Sequence, residues 1–347
     1  MSPMHTLLNT LYITTPQAYA HLDNNTVRIE VERETRLRVP LHHLDGLVCF
    51  GHVLVSPGLM HRLADEGKSL VLLNEHGRFK ARLEGGTSGN VLLRQAQFRQ
   101  SEQPDSTLTI ARTIVAGKLK NSRTVLMRGA RETQDNDETT TLTRIADNFS
   151  ASLRATKVAA TVDELRGIEG EAARNYFVGL NLIVKPAMRE AFQLDGRTRR
   201  PPLDRFNALI SFLYALVMND CRSALEAVGL DPQIGFLHVV RPGRAALALD
   251  LQEEFRAILA DRLALTLINR GQLKVADFDE REGGAVMLND QGRRTVLTAW
   301  QERKQVEMAH PLLEQKLPLT LLPLIQARIM ARALRGEMDG YLPFLAR

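Results

Sequence analysis

The sequence predicts an α+β protein, with a small β-sandwich-like domain over residues 1–100 followed by a larger all-helical domain over 101–347. Three observations carry this. Apolar–polar alternation of strand period is confined to the first hundred residues. Helical spacing of apolar residues replaces it afterwards. The length of 347 residues exceeds the roughly 250–300 at which one hydrophobic core stops growing.

In order along the chain, Asn24-Asn25 signals a turn into the alternating strand Val27-Arg-Ile-Glu-Val-Glu32. Pro57 to about Glu66 reads as a short helix, opened by Ser-Pro-Gly and closed by Gly67. Leu70-Val-Leu-Leu73 is a short buried strand, and Glu75-His-Gly77 turns into Phe79-Lys-Ala-Arg-Leu83. Gly85-Gly-Thr-Ser-Gly89 is a loop. Residues 107–128 then form a helix on Ile110, Ile114, Val115 and Leu119, and Glu132–Glu138 an exposed loop. Thr161-Val-Asp-Glu164 is a capping box opening another helix. Asp204 starts a long apolar helix with Leu209, Phe212, Leu213 and Leu216, and Gly229 closes that region. Helices are expected over 250–268 and 320–335, with no repeat of fixed period.

A hydrophobic content of 44% is ordinary for a folded globular chain. No apolar run approaches the roughly 20 residues of a membrane span, and Asn207, Ser211 and Tyr214 interrupt the longest. The N-terminus does not resemble a signal peptide. Cys49 and Cys221 match no metal-ligand spacing and read as buried free thiols, which suits a reducing, cytoplasmic setting. The net charge of +5 is mild, but its distribution is not. From Ser106 to Arg131 there is no acidic residue, against Arg112, Lys118, Lys120, Arg123, Arg128 and Arg131. A one-signed face repels itself unless a polyanion screens it, which points to phosphate contact, although a plain basic surface would look the same.

Seven of the nine histidines lie in the first 76 residues. In the helical part, His310 precedes Pro311 in a polar stretch and reads as a loop residue. His238 stands in the apolar segment Ile234-Gly-Phe-Leu-His-Val-Val240, where a satisfied core histidine is the plain alternative to a ligand. Asp250, Glu253 and Glu254 follow 12 to 16 residues later. At 100° per residue they share an arc of about 100° beside an apolar stripe, so at least one carboxylate faces inward. A buried carboxylate needs a partner or a metal, whereas solvated carboxylates would suit a helix start. Glu169 sits between Gly167 and Gly170, each costing about 1 kcal/mol in a helix. The glycines leave room for a metal and a phosphate, or mark a poor surface helix.

The segment Arg166-Gly-Ile-Glu-Gly170 with Ala-Ala-Arg-Asn-Tyr-Phe177 resembles the signature of the CRISPR-associated endonuclease and integrase that acquires new spacers. Three further segments agree in order and spacing. Gly196-Arg-Thr-Arg-Arg-Pro-Pro-Leu-Asp204 with Asn207–Tyr214 is similar to that family's basic loop and central helix. Gly235-Phe-Leu-His238 is similar to its histidine motif, and Leu249-Asp-Leu-Gln-Glu-Glu254 to its closing acidic motif. The opening segment resembles the subtype I-C branch.

The resemblance implies a metal site of Glu169, His238 and Glu253. Many relatives carry aspartate at the third position, so Asp250 stays open as an alternative or additional ligand. One imidazole and two carboxylates suit Mg2+ or Mn2+, the nitrogen favouring Mn2+. The implied reaction is attack by the 3′-hydroxyl of a captured DNA fragment on a phosphodiester at a repeat edge, with hydrolysis as the same chemistry by water. Arg241 and Arg244 would hold the scissile phosphate, and Arg166, Arg197, Arg199, Arg200 and Arg205 would meet the backbone together with Lys118, Lys120 and Arg123. The implied partners are double-stranded DNA, a second copy through the β domain, and a dimer of a small ferredoxin-like CRISPR adaptation protein flanked by two such homodimers in a heterohexamer. A structure-specific repair nuclease, or a DNA-binding scaffold without catalysis, are the rival functions.

Overall fold

A computed structural model describes residues 9–74, 79–83, 85, 91–194 and 196–346. The chain divides into two compact units, Met1–Gly89 and Asn90–Arg347. The expected boundary near residue 100 falls one helix beyond that division.

The first unit holds β1 (Asn9–Ile13), β2 (Tyr19–Asp23), β3 (Thr26–Val31), β4 (Glu34–Pro40), β5 (Leu44–Phe50), β6 (Leu54–Val55), α1 (Pro57–Asp65), β7 (Ser69–Leu73) and β8 (Phe79–Leu83). They make two four-stranded sheets, ordered β1-β5-β7-β8 and β4-β3-β2-β6. The alternation in β3 buries Val27 and Ile29, and these join Leu47, Cys49 and Leu70 of the other sheet in one core with Leu59 and Leu63 of α1. Ser56 caps α1 by accepting from the Leu59 amide at 3.2 Å. The turn expected at Glu75–Gly77, and all of the loop expected after Gly85, lie outside the described residues.

The second unit begins with α2 (Val91–Glu102), α3 (Pro104–Glu132), α4 (Asn136–Val158), α5 (Val162–Ile183), α6 (Pro186–Arg189) and α7 (Arg205–Ala227). The loop expected over 132–138 shrinks to 133–135, because Asp135 is an N-cap: its side chain accepts from the amides of Asp137 and Glu138 and starts α4. Thr161 caps α5 as the capping box predicts, accepting from the Glu164 amide at 3.1 Å. Glu164 reaches back to the amide of Ala160 instead of the cap residue. Small residues let α3 and α5 approach closely. A Cβ at Gly129 would stand 2.5 Å from Ile183, and one at Gly179 2.4 Å from Leu126. By length and composition α7 is apolar enough to cross a membrane, but Leu209, Ile210, Leu213, Leu216 and Val217 are packed inside the unit.

The single helix expected over 250–268 is broken. It consists of α8 (Ala246–Gln252), a π-helical stretch (Arg256–Asp261) and α9 (Arg262–Asn269). In the π stretch the Arg262 amide donates to Ala257 O, five residues back. The remainder is not purely helical, since two hairpins frame α10 (Asp290–Gln305). These are β9 (Phe278–Glu280) with β10 (Val286–Leu288), and β11 (Glu307–His310) with β12 (Gln315–Pro318). Their strands of three and four residues are too short to show a period-2 pattern. α11 (Leu322–Leu334) follows, and the end of the chain packs back into the unit at Tyr341 and Phe344.

Candidate active site

Gln97 of α2 is completely buried. Its amide donates to the carbonyls of Asp231 and Ile234, both at 2.8 Å, and accepts from the Asp231 amide. This pins the start of the loop that leads to His238. Next comes Gly235, where a Cβ would stand 2.7 Å from Ala246 C and 2.8 Å from Asp250 Oδ2. Only glycine allows so close an approach to α8. The following amides then all reach one carboxylate. Asp250 Oδ2 accepts from Phe236 N at 2.6 Å and Leu237 N at 3.0 Å, and Oδ1 accepts from His238 N at 2.9 Å. The His238 ring completes the set, with Nδ1 2.7 Å from Asp250 Oδ1.

This arrangement separates the roles of Asp250 and Glu253. Asp250 is fully buried with both oxygens engaged, so it has nothing to offer a metal. It acts on the imidazole: Nδ1 carries the hydrogen, and in the neutral ring the lone pair falls on Nε2. Nε2 lies 3.7 Å from Glu253 Oε1, beyond hydrogen-bond range. Glu254, next in sequence, points away into the C-terminal segment. It accepts from Tyr341 Oη, from Phe344 N at 2.8 Å and from Gln326 Nε2 at 2.9 Å. Burial pushes its carboxyl up to about 7 against those donors. All three acidic residues of the motif are thus buried, which removes the solvated alternative.

Glu169 comes from α5 with a side chain about one quarter exposed. Lys118 of α3 stands between it and Glu253. The ammonium is paired with Glu169 Oε1 and lies 2.7 Å from Glu253 Oε2. Burial alone would depress the Lys118 ammonium, but Glu253 and Glu169 outweigh it and hold its pKa above the usual lysine value. Arg256 reaches Glu253 Oε1 at 2.5 Å. Burial would raise the Glu253 carboxyl, and the charges of Arg256, Lys118 and His238 instead hold it well below the ordinary range. Among the described residues no three His, Cys, Asp or Glu side chains already surround one point, because the Lys118 ammonium stands between the two glutamates. The donor types nevertheless fit a hard divalent cation. Glu253 Oε2 is buried and, despite its nearness to Lys118, makes no hydrogen bond of acceptable angle.

The cations singled out by sequence divide into struts and surface groups. Arg166 donates twice to Leu237 O, at 2.8 and 2.6 Å, tying α5 to the histidine loop. Arg197 donates to Asn207 Oδ1 at 2.7 Å and Ser211 Oγ at 3.0 Å and lies over the Tyr214 ring. Arg256 also lies over that ring, 5.0 Å from its centroid. Arg205 joins Ala191 O and Glu280. Arg112 bonds the carbonyls of Thr156 and Ala159 at the end of α4. Arg123 donates to Ala146 O, and Arg128 pairs with Glu132. Lys120, Arg199, Arg200 and Arg241 are exposed, and Arg244 is partly so. Burial, then Arg241, with Arg166 and Arg199 further out, pushes the Arg244 guanidinium below its usual value, which places these four arginines near one another.

Sequence reasoning missed Gln97, Arg256, the Arg197–Tyr214–Arg256 stack and Asp261, which accepts from Tyr176 and Tyr214. Only Arg256 had a local signal, its i,i+3 spacing from Glu253. His310 is not a loop residue. It ends β11, is buried, and its Nε2 meets Gln326 Oε1 at 3.1 Å.

An anchored histidine and two carboxylates beside a group of arginines form the kind of site that handles a phosphodiester. Comparison with known proteins specifies which kind. The chain matches the family model described as CRISPR associated protein Cas1 over residues 11–302, and it belongs to that family. The CRISPR-associated endonuclease Cas1 1 of Moorella thermoacetica is 54% identical over 344 residues, covering 99% of this chain and 100% of that protein. The CRISPR-associated endonuclease Cas1 2 of Rhodospirillum rubrum is 49% identical over 346 residues, covering 98% and 99%. Among solved structures, a Cas1 protein from Thermotoga maritima aligns with TM-score 0.82 at 24% identity, over 96% of this chain and 99% of that one. A casposase bound to integration product aligns with TM-score 0.81 at 20% identity, over 96% and 93%. At these identities the structures show a shared fold.

Proposed function

We propose that this chain is the metal-dependent endonuclease and integrase of CRISPR adaptation, inserting short DNA fragments into a repeat array. The observation that carries it is the Asp250–His238 pair, which turns the open ring nitrogen towards Glu253. Kinship with named Cas1 endonucleases over nearly the whole chain supports it. So does the shared fold with the casposase on its integration product and with a Cas6-RT-Cas1–Cas2 complex. Glu169, His238 and Glu253 would hold one Mg2+ or Mn2+, which when bound supplies Lewis acidity at the reacting phosphate.

The chain's own residues supply the rest. Asp250 holds the imidazole rotamer and tautomer. Arg256 and Lys118 keep Glu253 ionised. The exposed Arg199, Arg200 and Arg241, with Arg244, receive the phosphate backbone. In the transfer step the fragment's 3′-oxygen bonds to phosphorus and gives up its proton, while the attacked strand's own 3′-oxygen leaves and takes one up. Double-stranded DNA, a second copy of the chain through the β unit, and a small ferredoxin-like adaptation protein in a heterohexamer are the proposed partners. Subtype I-C is the proposed branch, and a neighbouring repeat array with a short adjacent reading frame would identify it. The deciding experiment uses a repeat-bearing plasmid, a fragment with a free 3′-hydroxyl, and Mn2+. Glu169→Ala and His238→Ala should abolish strand transfer while DNA binding persists. Equal integration by all three proteins would refute the site.

A further inference from the structure

The mechanism leaves one charged group in an unusual position. Lys118 projects from the longest helix of the unit, 29 residues, yet its side chain is only 15% exposed. At its own neighbour Gly117 a Cβ would stand 2.7 Å from Pro343 Cβ. The C-terminal segment therefore crowds α3 at this turn. The Lys118 ammonium ends between Glu169 Oε1 and Glu253 Oε2, the carboxylates of two different elements, α5 and the turn after α8. Glu253 Oε1 is already met by Arg256, so Oε2 is the oxygen left for another cation. No other cation bridges these two carboxylates among the described residues.

We infer that Lys118 is a resident counter-cation, occupying the place of the divalent ion between Glu169 and Glu253 and leaving it when the ion enters. This rests on the metal reading above and deepens it. An ammonium cannot stay between two carboxylates that both ligate a dication, since like charges at ligand distance repel strongly. Metal uptake is then an exchange of one cation for another. The carboxylates stay paired and organised without metal, and metal affinity is lowered by the pairs that must break. On a flexible four-carbon stem the released ammonium is free to turn to the phosphate backbone at the cleft. This changes the expected role of Lys118 from a standing DNA contact to one available only after metal entry.

Two measurements test it on the intact protein. Calorimetric titration with MnCl2 should show Lys118→Met binding Mn2+ at least tenfold more tightly than wild type. Its metal-free melting temperature should be lower and its rise on Mn2+ addition larger. In wild type, acetylation of Lys118 by acetic anhydride, read by mass spectrometry, should increase several-fold on adding Mn2+. Equal or weaker Mn2+ binding by Lys118→Met, or Lys118 labelling that stays level or falls with Mn2+, would overturn the exchange. The labelling arm decides should Lys118→Met not fold. Uptake of Mn2+ by neither protein would bring down the metal reading as well, whereas equal uptake by both removes only the exchange.

Discussion

At the scale of single residues, the acidic motif reads as three carboxylates of similar standing, and the structure gives each a different task. Sequence spacing brought Asp250, Glu253 and Glu254 near His238, but the partners that separate them come from distant segments. Asp250 is defined by three amides after Gly235, and Glu254 by Tyr341 and Gln326. Replacing Asp250 by Asn sets an amide group against four donors and removes the anion that orients the ring. Mn2+ affinity and strand transfer should both fall by about 10- to 100-fold, measured by calorimetry and the plasmid assay. A loss of transfer with unchanged Mn2+ affinity would mean that Asp250 does not act through the ligand. Asp261 makes the pH prediction. Burial, against the Tyr214 and Tyr176 hydrogen bonds, pushes its carboxyl from 3.8 to about 6. The folded state therefore holds this proton more tightly than the unfolded state. Its contribution is complete below pH 3.8 and is lost as pH rises through 6. Two pH units at about 1.4 kcal/mol each make this at most about 3 kcal/mol. Asn can accept from one tyrosine and donate to the other, so Asp261→Asn should fold and lose this slope in urea unfolding between about pH 4.5 and 7.

At the scale of elements, the one-signed stretch of α3 shows where charge patterning misleads. Composition alone places six cations on a screened face. The helix is packed by α4 and α5, and its cations are distributed around it as caps, crosslinks and site members. The phosphate-facing group is better sought after α6 and after His238. Changing Arg199, Arg200 and Arg241 to glutamine should reduce the slope of log affinity for duplex DNA against log salt by up to about 0.9 for each phosphate that these side chains neutralise. An unchanged slope in the triple variant would leave them as plain surface. The glycines of α5 divide in the same way. Gly167 has nothing within 4 Å of its added Cβ, whereas Gly179 meets Leu126. Gly167→Ala should stabilise the protein by up to about 1 kcal/mol, and Gly179→Ala should destabilise it by about 1–3 kcal/mol. Opposite shifts in urea midpoint check both. Sequence distinguished neither glycine, because the contact that matters lies across a helix crossing.

At the scale of the molecule, the β-to-α switch and most long elements were legible because their periods persist over many residues. β9 to β12 and the break inside 250–268 were not, since three- and four-residue strands and a π stretch carry no period of their own. Much of the helical unit converges on its final residues. Asn121 donates to Glu254 O and Phe344 O, and Gln326 to Glu254, Tyr341 and Leu342 O. Removing residues from Tyr341 onward strips partners from three completely buried polar side chains, Asn121, Glu254 and Gln326. At about 1–3 kcal/mol each, the loss is a large share of a typical folding free energy. The truncated protein should unfold at much lower urea concentration, and an unchanged midpoint would show that the segment is dispensable.

The π stretch between Glu253 and α9 has a consequence for insertions and deletions. A π turn carries one residue more than the α turn it replaces. Deleting one residue within Arg256–Asp261 would let the helix continue regularly, with an ordinary ladder and intact flanking sequence. Everything on one side of the deletion would then be rotated by about 100° against the other. Glu253 would keep its place in the alignment of the chain and lose its view of His238. A homologue shorter by that single residue should retain the fold and be silent in strand transfer.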